Sequence, residues 1–282
     1  MQGLTLIGES INDSVPSTHA LFEAGDTAGL VALAQTQADL GAAYVDVNVG
    51  PRAPGFMAEI VRAVEAACSK PLSVDSPDFA TAKAGLAACS GRCGAPLLNS
   101  ISPLRLEMFD LLSVRRFRPV LLASEMLRDG AETPCLTADE TAAAARLLLE
   151  TAHRRGLANA DCIIDPGIAP LATDTDGHLR RLMGALAQMR ADPFFAGVHV
   201  SVGLSNFTVM LPSKRADGSP VKAPLASAFL TRAMPLGLDT IIGSVKLPYA
   251  LLPEGHPALQ CFDACLAAEG FDGLEIVQNF YS

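Results

Sequence analysis

At 282 residues, 50% hydrophobic and 18% charged, the chain can bury one large α/β barrel or two smaller domains, with a core of Ala, Leu and Val because aromatics make up 5% and Trp is absent. A formal net charge of −9, with no basic stripe interleaved with aromatics, argues against nucleic acid or an anionic membrane as partner. Seven cysteines, an odd number scattered through apolar surroundings, suit a reducing cytoplasm.

The opening "MQGLTLIGESIN" has no cationic region followed by a long apolar run, so it does not read as a secretory signal. No apolar run is long enough to cross a bilayer. Strands are predicted at Leu4–Gly8, Tyr44–Asn48, Leu72–Asp75, Pro96–Asn99, Pro119–Ala123, Cys162–Asp165, Val198–Gly203 and Thr240–Val245. Helical windows separate them, among them "TAGLVALAQTQADLGA", "FMAEIVRAVEAACSK", "FATAKAGLAACSG", "ADETAAAARLLLETAHRRG" and "GHLRRLMGALAQMRAD". Start signals stand at Thr137, before Asp139 and Glu140, and at Asp176, before His178. Gly41, Gly94 and Gly156 are placed as helix-ending caps. The polar "PSKRADGSPVKAP" reads as a loop after the seventh strand.

Eight strands alternating with helices indicate parallel βαβ units, and a doubly wound sheet would want a Gly-rich phosphate turn that "IGESINDS" lacks. The expectation is a (β/α)8 TIM barrel, one domain over residues 1–282. Cys89/Cys93 and Cys261/Cys265 are each four apart, but no His or second Cys pair completes a ligand set, so no metal is implied.

Catalytic groups in such a barrel sit at the C-terminal ends of the strands. Those positions hold Glu9 and Asn12; Asp46, Asn48 and Gly50; Asp75; Asn99 and Ser100; Ser124 and Glu125; Asp165; Ser205 and Asn206; and Ser244 and Lys246. Any single Asp or Asn there also serves as a turn former or helix N-cap: Asp165 before Pro-Gly and Asp75 before Ser-Pro both fit that role. Asp46 and Asn48 share one side of their strand and can equally close a polar layer in the barrel. Six strand ends carrying Asn or Asp at one mouth suit a flat heterocycle edged with ring nitrogens, an amine and a carbonyl.

"IGESIN", "VDVNVG", "SVDS", "LLNS", "IIDPGI" and "VGLSN", in that order, resemble the pterin-binding (β/α)8 proteins. The resemblance is closest to the methyltetrahydrofolate:corrinoid protein methyltransferases, the folate module of cobalamin-dependent methionine synthase. It spans the whole barrel and includes "FLTRAMPLGLD". It implies that Asp75, Asn99 and Asp165 hold the pyrimidine side of the pterin. Asn206 would sit near N5, and Asp46 and Asn48 would line the floor or position their neighbours. Ser205 would bring the strand end close to the ligand, and Glu9 and Asn12 would be structural or support the binding residues rather than catalyse. The implied substrate is tetrahydrofolate or 5-methyltetrahydrofolate. The implied partner is a corrinoid (cobalamin) protein, separate because no Asp-x-His-x-x-Gly motif occurs, and related barrels pair as homodimers. An amide suits N5 because it can accept from the protonated nitrogen or donate to the unprotonated one.

The chain departs from the family at "MLPSKRADGSPVKAP", which is long, and at Ser244 and Lys246 of the eighth strand. Both places face the mouth, where the folate tail or the partner arrives. Dihydropteroate synthase is the alternative enzyme. "NVGPRAPG" resembles its second loop, with Arg52 placed for a pyrophosphate, but its Lys-x-x-Ser-Arg and Arg-x-His motifs are not found. A non-catalytic pterin-binding subunit of a demethylase system is the third reading.

Overall fold

The computed structural model describes residues 1–282. The strands, in chain order, are β1 (Thr5–Asn12), β2 (Tyr44–Asn48), β3 (Leu72–Asp75), β4 (Leu97–Ile101), β5 (Arg118–Leu122), β6 (Glu125–Arg128), β7 (Ala131–Pro134), β8 (Ile163–Asp165), β9 (His199–Gly203) and β10 (Thr240–Gly243). Eight of them close a parallel barrel in the order β1-β10-β9-β8-β5-β4-β3-β2. The remaining two, β6 and β7, form an antiparallel hairpin on the loop after β5, turning at Asp129 and Gly130, both at positive φ. The fold is therefore the expected (β/α)8 barrel.

The helices are α1 (Pro16–Glu23), α2 (Thr27–Asp39), α3 (Pro54–Ala67), α4 (Phe79–Ala88), α5 (Ala138–Arg154), α6 (His178–Ala191), α7 (Leu204–Phe207), α8 (Lys222–Ala233), α9 (Pro257–Ala267) and α10 (Asp272–Tyr281). Thr137 caps α5 in a full capping box with Glu140, as its spacing predicts. Asp176 does not start α6. Gly177 takes that place in the left-handed region, and Asp174 accepts from the His178 and Leu179 amides at 2.8 Å each. Likewise Asp78, not Asp75, caps α4, which frees the Asp75 side chain for the barrel interior. Gly94 has positive φ but lies in a loop past the end of α4, and the polar segment after the seventh barrel strand gives way to α8 at Lys222. No helix is long and apolar enough to cross a membrane.

Two apolar cores result. The larger fills the space between the sheet and the helices, where small Ala and Val side chains let the layers approach. The smaller, Ile7, Leu97, Val120, Ile163 and Ile242, is a layer inside the barrel. It forms because strand residues alternate between helix-facing and lumen-facing sides. Two residues further along, Asn99 of β4 and Asp165 of β8 belong to the mouth, as does Asp46, two residues after Tyr44 of β2, which packs against the layer.

Candidate active site

Asp46, Asp75, Asn99 and Asp165 project into the lumen above that apolar layer. Asp46 is 1% exposed and its Oδ1 has no hydrogen-bond partner; the neighbouring Ser73 hydroxyl is also buried and unpartnered. Burial pushes the Asp46 carboxyl well up, and the charge of Asp75 pushes it further. Burial also raises Asp75, with the Asn48 amide opposing it: Asn48 Nδ2 donates to Asp75 Oδ2 at 2.9 Å while its Oδ1 accepts from Gly50 N at 2.9 Å. Asn48 is thus a bracket between two loops rather than a free donor.

Asp165, 6% exposed, accepts from Gly167 N at 2.8 Å and from the Ser201 hydroxyl at 3.4 Å. Burial pushes its pKa up to about 6. The Pro-Gly after it makes the turn expected there. Gly167 sits at φ +70°, and a Cβ on it would lie 2.4 Å from the Ser124 Cβ. Buried Arg181 of α6 staples this turn, donating to Pro166 O at 2.7 Å, Gly167 O at 2.8 Å and Thr141 Oγ1 at 2.9 Å.

Ser205 and Asn206 follow the end of β9 directly, on α7, a single helical turn. Phe207 anchors that turn. It is fully buried, with its ring 5.4 Å from Phe229 of α8 and 6.2 Å from Phe262 of α9. The adjacent Asn206 is consequently held at the surface of the mouth, its amide folded over Gly203. A Cβ at Gly203 would be 3.0 Å from Asn206 Nδ2.

The Glu9 carboxyl belongs to the same cluster. Burial raises its pKa, the Ser205 hydroxyl alongside lowers it in part, and its charge acts on Asp46 and Asp75. A β-bulge puts it there. Gly8 pairs with Val45 and Ile11 with Val47, so Glu9 and Ser10 together oppose the single residue Asp46. Buried Gln37 takes the Ser10 amide freed by the bulge, at 2.9 Å, and occupies the space a Gly8 side chain would need. Neither a register shift nor this helix-to-strand contact leaves a pattern in the sequence. Asn12 is a turn former, accepting from the Ser14 amide and hydroxyl.

A cavity of about 590 Å³ opens at the mouth beside Asn48 and Asp75, with Arg52, Ser76 and Asp78 on its wall. Arg52 faces it but is engaged, paired with Asp13 and Glu23 at 2.5 Å each, donating to Val49 O, and stacked over Phe22 and Phe56. Lys246 is exposed and forms no ion pair, while Ser244 accepts from its backbone amide at 3.3 Å. No group of three or more His, Cys, Asp or Glu side chains is arranged to hold a metal ion.

A model of the family described as pterin binding enzyme matches residues 11–243. A methylcorrinoid:tetrahydrofolate methyltransferase of Eubacterium limosum is 27% identical over 244 residues, covering 85% of this chain and 84% of that relative. Among solved structures, dihydropteroate synthase from Xanthomonas albilineans in complex with 7,8-dihydropteroate superposes with a TM-score of 0.58 at 18% identity, covering 94% of each chain. A Yersinia pestis counterpart with a pterine-sulfa conjugate gives 0.57 at 17%, covering 94% and 95%. At such identities the likeness of the structures is one of fold.

Proposed function

The chain belongs to the pterin-binding enzyme family, and from that premise we propose that it moves a methyl group between N5 of a tetrahydrofolate and the cobalt of a corrinoid held by a separate protein. The observation that carries this reading is the set of desolvated carboxylates, Asp46, Asp75 and Asp165, beside an uncharged amide, Asn206, at one mouth. An aminopyrimidinone presents paired N–H donors, and a buried carboxylate with open acceptor sites is the group that gains most from them. The Eubacterium limosum relative supports the methyl transfer, and its name gives corrinoid to tetrahydrofolate as the direction to assay first.

Each residue then has a task. Asp165, fixed by Gly167 and by the Arg181-held turn, accepts from the pyrimidine edge together with Asp75, which Asn48 orients. Asn99 supplies an amide to the same edge. Ser205 and Asn206 meet the N5 side. There a hydrogen bond that strengthens as N5 changes charge lowers the barrier, because an amine leaves more readily when protonated. Glu9, its pKa raised by burial and partly lowered by Ser205, lies close to that side. The corrinoid, when bound, supplies a cobalt able to give or take the methyl group. Positioning is the rest of the protein's share.

Dihydropteroate synthesis needs cations for a departing pyrophosphate. Arg52 is held by two carboxylates, and Ser205 and Asn206 stand at the end of β9. The test sets the two reactions side by side. The protein is incubated with 5-methyltetrahydrofolate and reduced cobalamin, with methylcobalamin and tetrahydrofolate for the reverse, and with a pyrophosphorylated dihydropterin and 4-aminobenzoate. Methyl transfer in either direction without dihydropteroate is expected. Dihydropteroate without methyl transfer overturns the proposal, and binding without turnover assigns the chain to a non-catalytic role.

A further inference from the structure

The chain does not pass straight from β10 into a helix. The segment "SVKLPYALLPEGH", Ser244 to His256, first runs along α8 before α9 begins, Ala250 N donating to Ser227 Oγ at 3.1 Å and Leu252 N to Thr231 Oγ1 at 2.9 Å. Tyr249 lies in the middle of it. Its ring packs against the main core, and its hydroxyl is buried with no hydrogen-bond partner. The Ser244 backbone amide, alongside, can reach only the oxygen's lone pairs and opposes the rise of the phenol's pKa, so the O–H proton is left without an acceptor.

Three observations place that hydroxyl at the site. A Cβ built on Gly243, at the end of β10, would stand 2.9 Å from Tyr249 Oη and 3.8 Å from Ser205 Oγ. Tyr249 Oη thus rests on the bare backbone of Gly243, a neighbour of the turn that carries Asn206. Glu9 lies close enough for its charge to act on the phenol, and burial together with that charge holds the phenol well above its usual range. The group stays a donor, and Gly243, Ser205 and Glu9 are its neighbours.

A buried hydroxyl without a partner is a cost that phenylalanine would avoid while packing the same ring. An unpaired donor among the polar side chains of a ligand site has its natural partner in the ligand. We propose that Tyr249 donates a hydrogen bond to the bound pterin on its N5 side, completing with Ser205 and Asn206 a three-residue grip on the reacting edge. The eighth-strand end would therefore contribute through Tyr249. The inference rests on the pterin reading given above. It adds a contact contributed by the segment in which this chain departs from the family pattern.

Tyr249→Phe removes the oxygen and keeps the ring. Calorimetric titration of 5-methyltetrahydrofolate into the wild type and into this variant is expected to give binding in both, roughly 5–30-fold weaker in the variant, the scale of one buried hydrogen bond. The melting temperature should be equal or higher in the variant, because an unpaired hydroxyl has gone. Gly243→Ala, whose methyl group would displace the phenol, should weaken binding in the Tyr249 background and much less in the Tyr249→Phe background. Equal affinity of wild type and Tyr249→Phe overturns the inference and leaves the pterin reading standing. Wild-type protein that binds no reduced pterin overturns the reading itself.

Discussion

At the floor of the barrel Arg118 donates to the Tyr44 hydroxyl at 3.1 Å and to Ala160 O at 3.2 Å, and His199 pairs with Asp239 at 2.7 Å. At the mouth Asp46 keeps an oxygen without a partner, the Ser73 and Tyr249 hydroxyls are unpaired, and Asp75 and Asp165 are raised by burial. Ile7, Leu97, Val120, Ile163 and Ile242 separate the two. The strands and their alternation are the same at both ends, so the contrast lies in what satisfies the polar groups. The floor meets its needs within the protein and serves the fold. The mouth leaves them open and carries a stability cost that a ligand can relieve.

The contrast breaks most sharply at the apolar layer. Leu97→Ala, at a fully buried position, should cost about 2–5 kcal/mol in urea unfolding and leave pterin affinity within about threefold of wild type. A large affinity loss would mean that floor and mouth are not separable. Asp165→Asn should do the reverse, weakening pterin binding by roughly 10²-fold while making the ligand-free protein more stable.

The sign of that gain follows from titration. Asp165 has a folded pKa of about 6, above its ordinary 3.8, so the folded state holds the proton more tightly and loses stability as pH rises through that interval. The advantage of Asp165→Asn over wild type should therefore grow by about 1 kcal/mol between pH 5 and pH 7. Wild-type pterin affinity should rise over the same range as the carboxylate ionises. An advantage that shrinks with pH would contradict the desolvated-carboxylate account.

Asn206→Ala sharpens the division of labour within the mouth. It should lower kcat/KM for methyl transfer by roughly 10–10³ while pterin affinity changes less than tenfold. Asp239→Asn at the floor should matter least. The His199 partner holds Asp239 below the usual carboxylate range against the opposing effect of burial, so its contribution is present at neutral pH and lost on acidification. The pair is more than a third exposed, and about 0.5 kcal/mol is expected in urea unfolding, with no effect on methyl transfer.

The barrel was legible because its signals are local. Short aliphatic runs, helix caps such as Thr137 and the Pro-Gly after Asp165 are each set by a few neighbouring residues. Asp46, Asp75, Asn99 and Asp165 could be located because strand alternation fixes where they point. The direction of Glu9 is not legible in the same way, because a bulge, held by a glutamine 27 residues away from Ser10, decides it. The step from β9 into α7 is hidden for a similar reason: the aromatic contacts that pin Phe207 join α7 to α8 and α9. The β6–β7 hairpin does carry a local signal, the Asp129-Gly130 turn between its strands. Tyr249 is placed by its approach to Gly243 and Glu9, which are distant from one another in sequence.

The central claim is that the unsatisfied mouth is a reduced-pterin site. Calorimetric titration of tetrahydrofolate into wild-type protein at pH 7, beside the Asp165→Asn variant, tests it most directly. The account predicts one site per chain in the wild type and a loss of roughly two orders of magnitude in affinity on removing the carboxylate. Absence of binding to the wild type, or equal affinity in the two proteins, would contradict it.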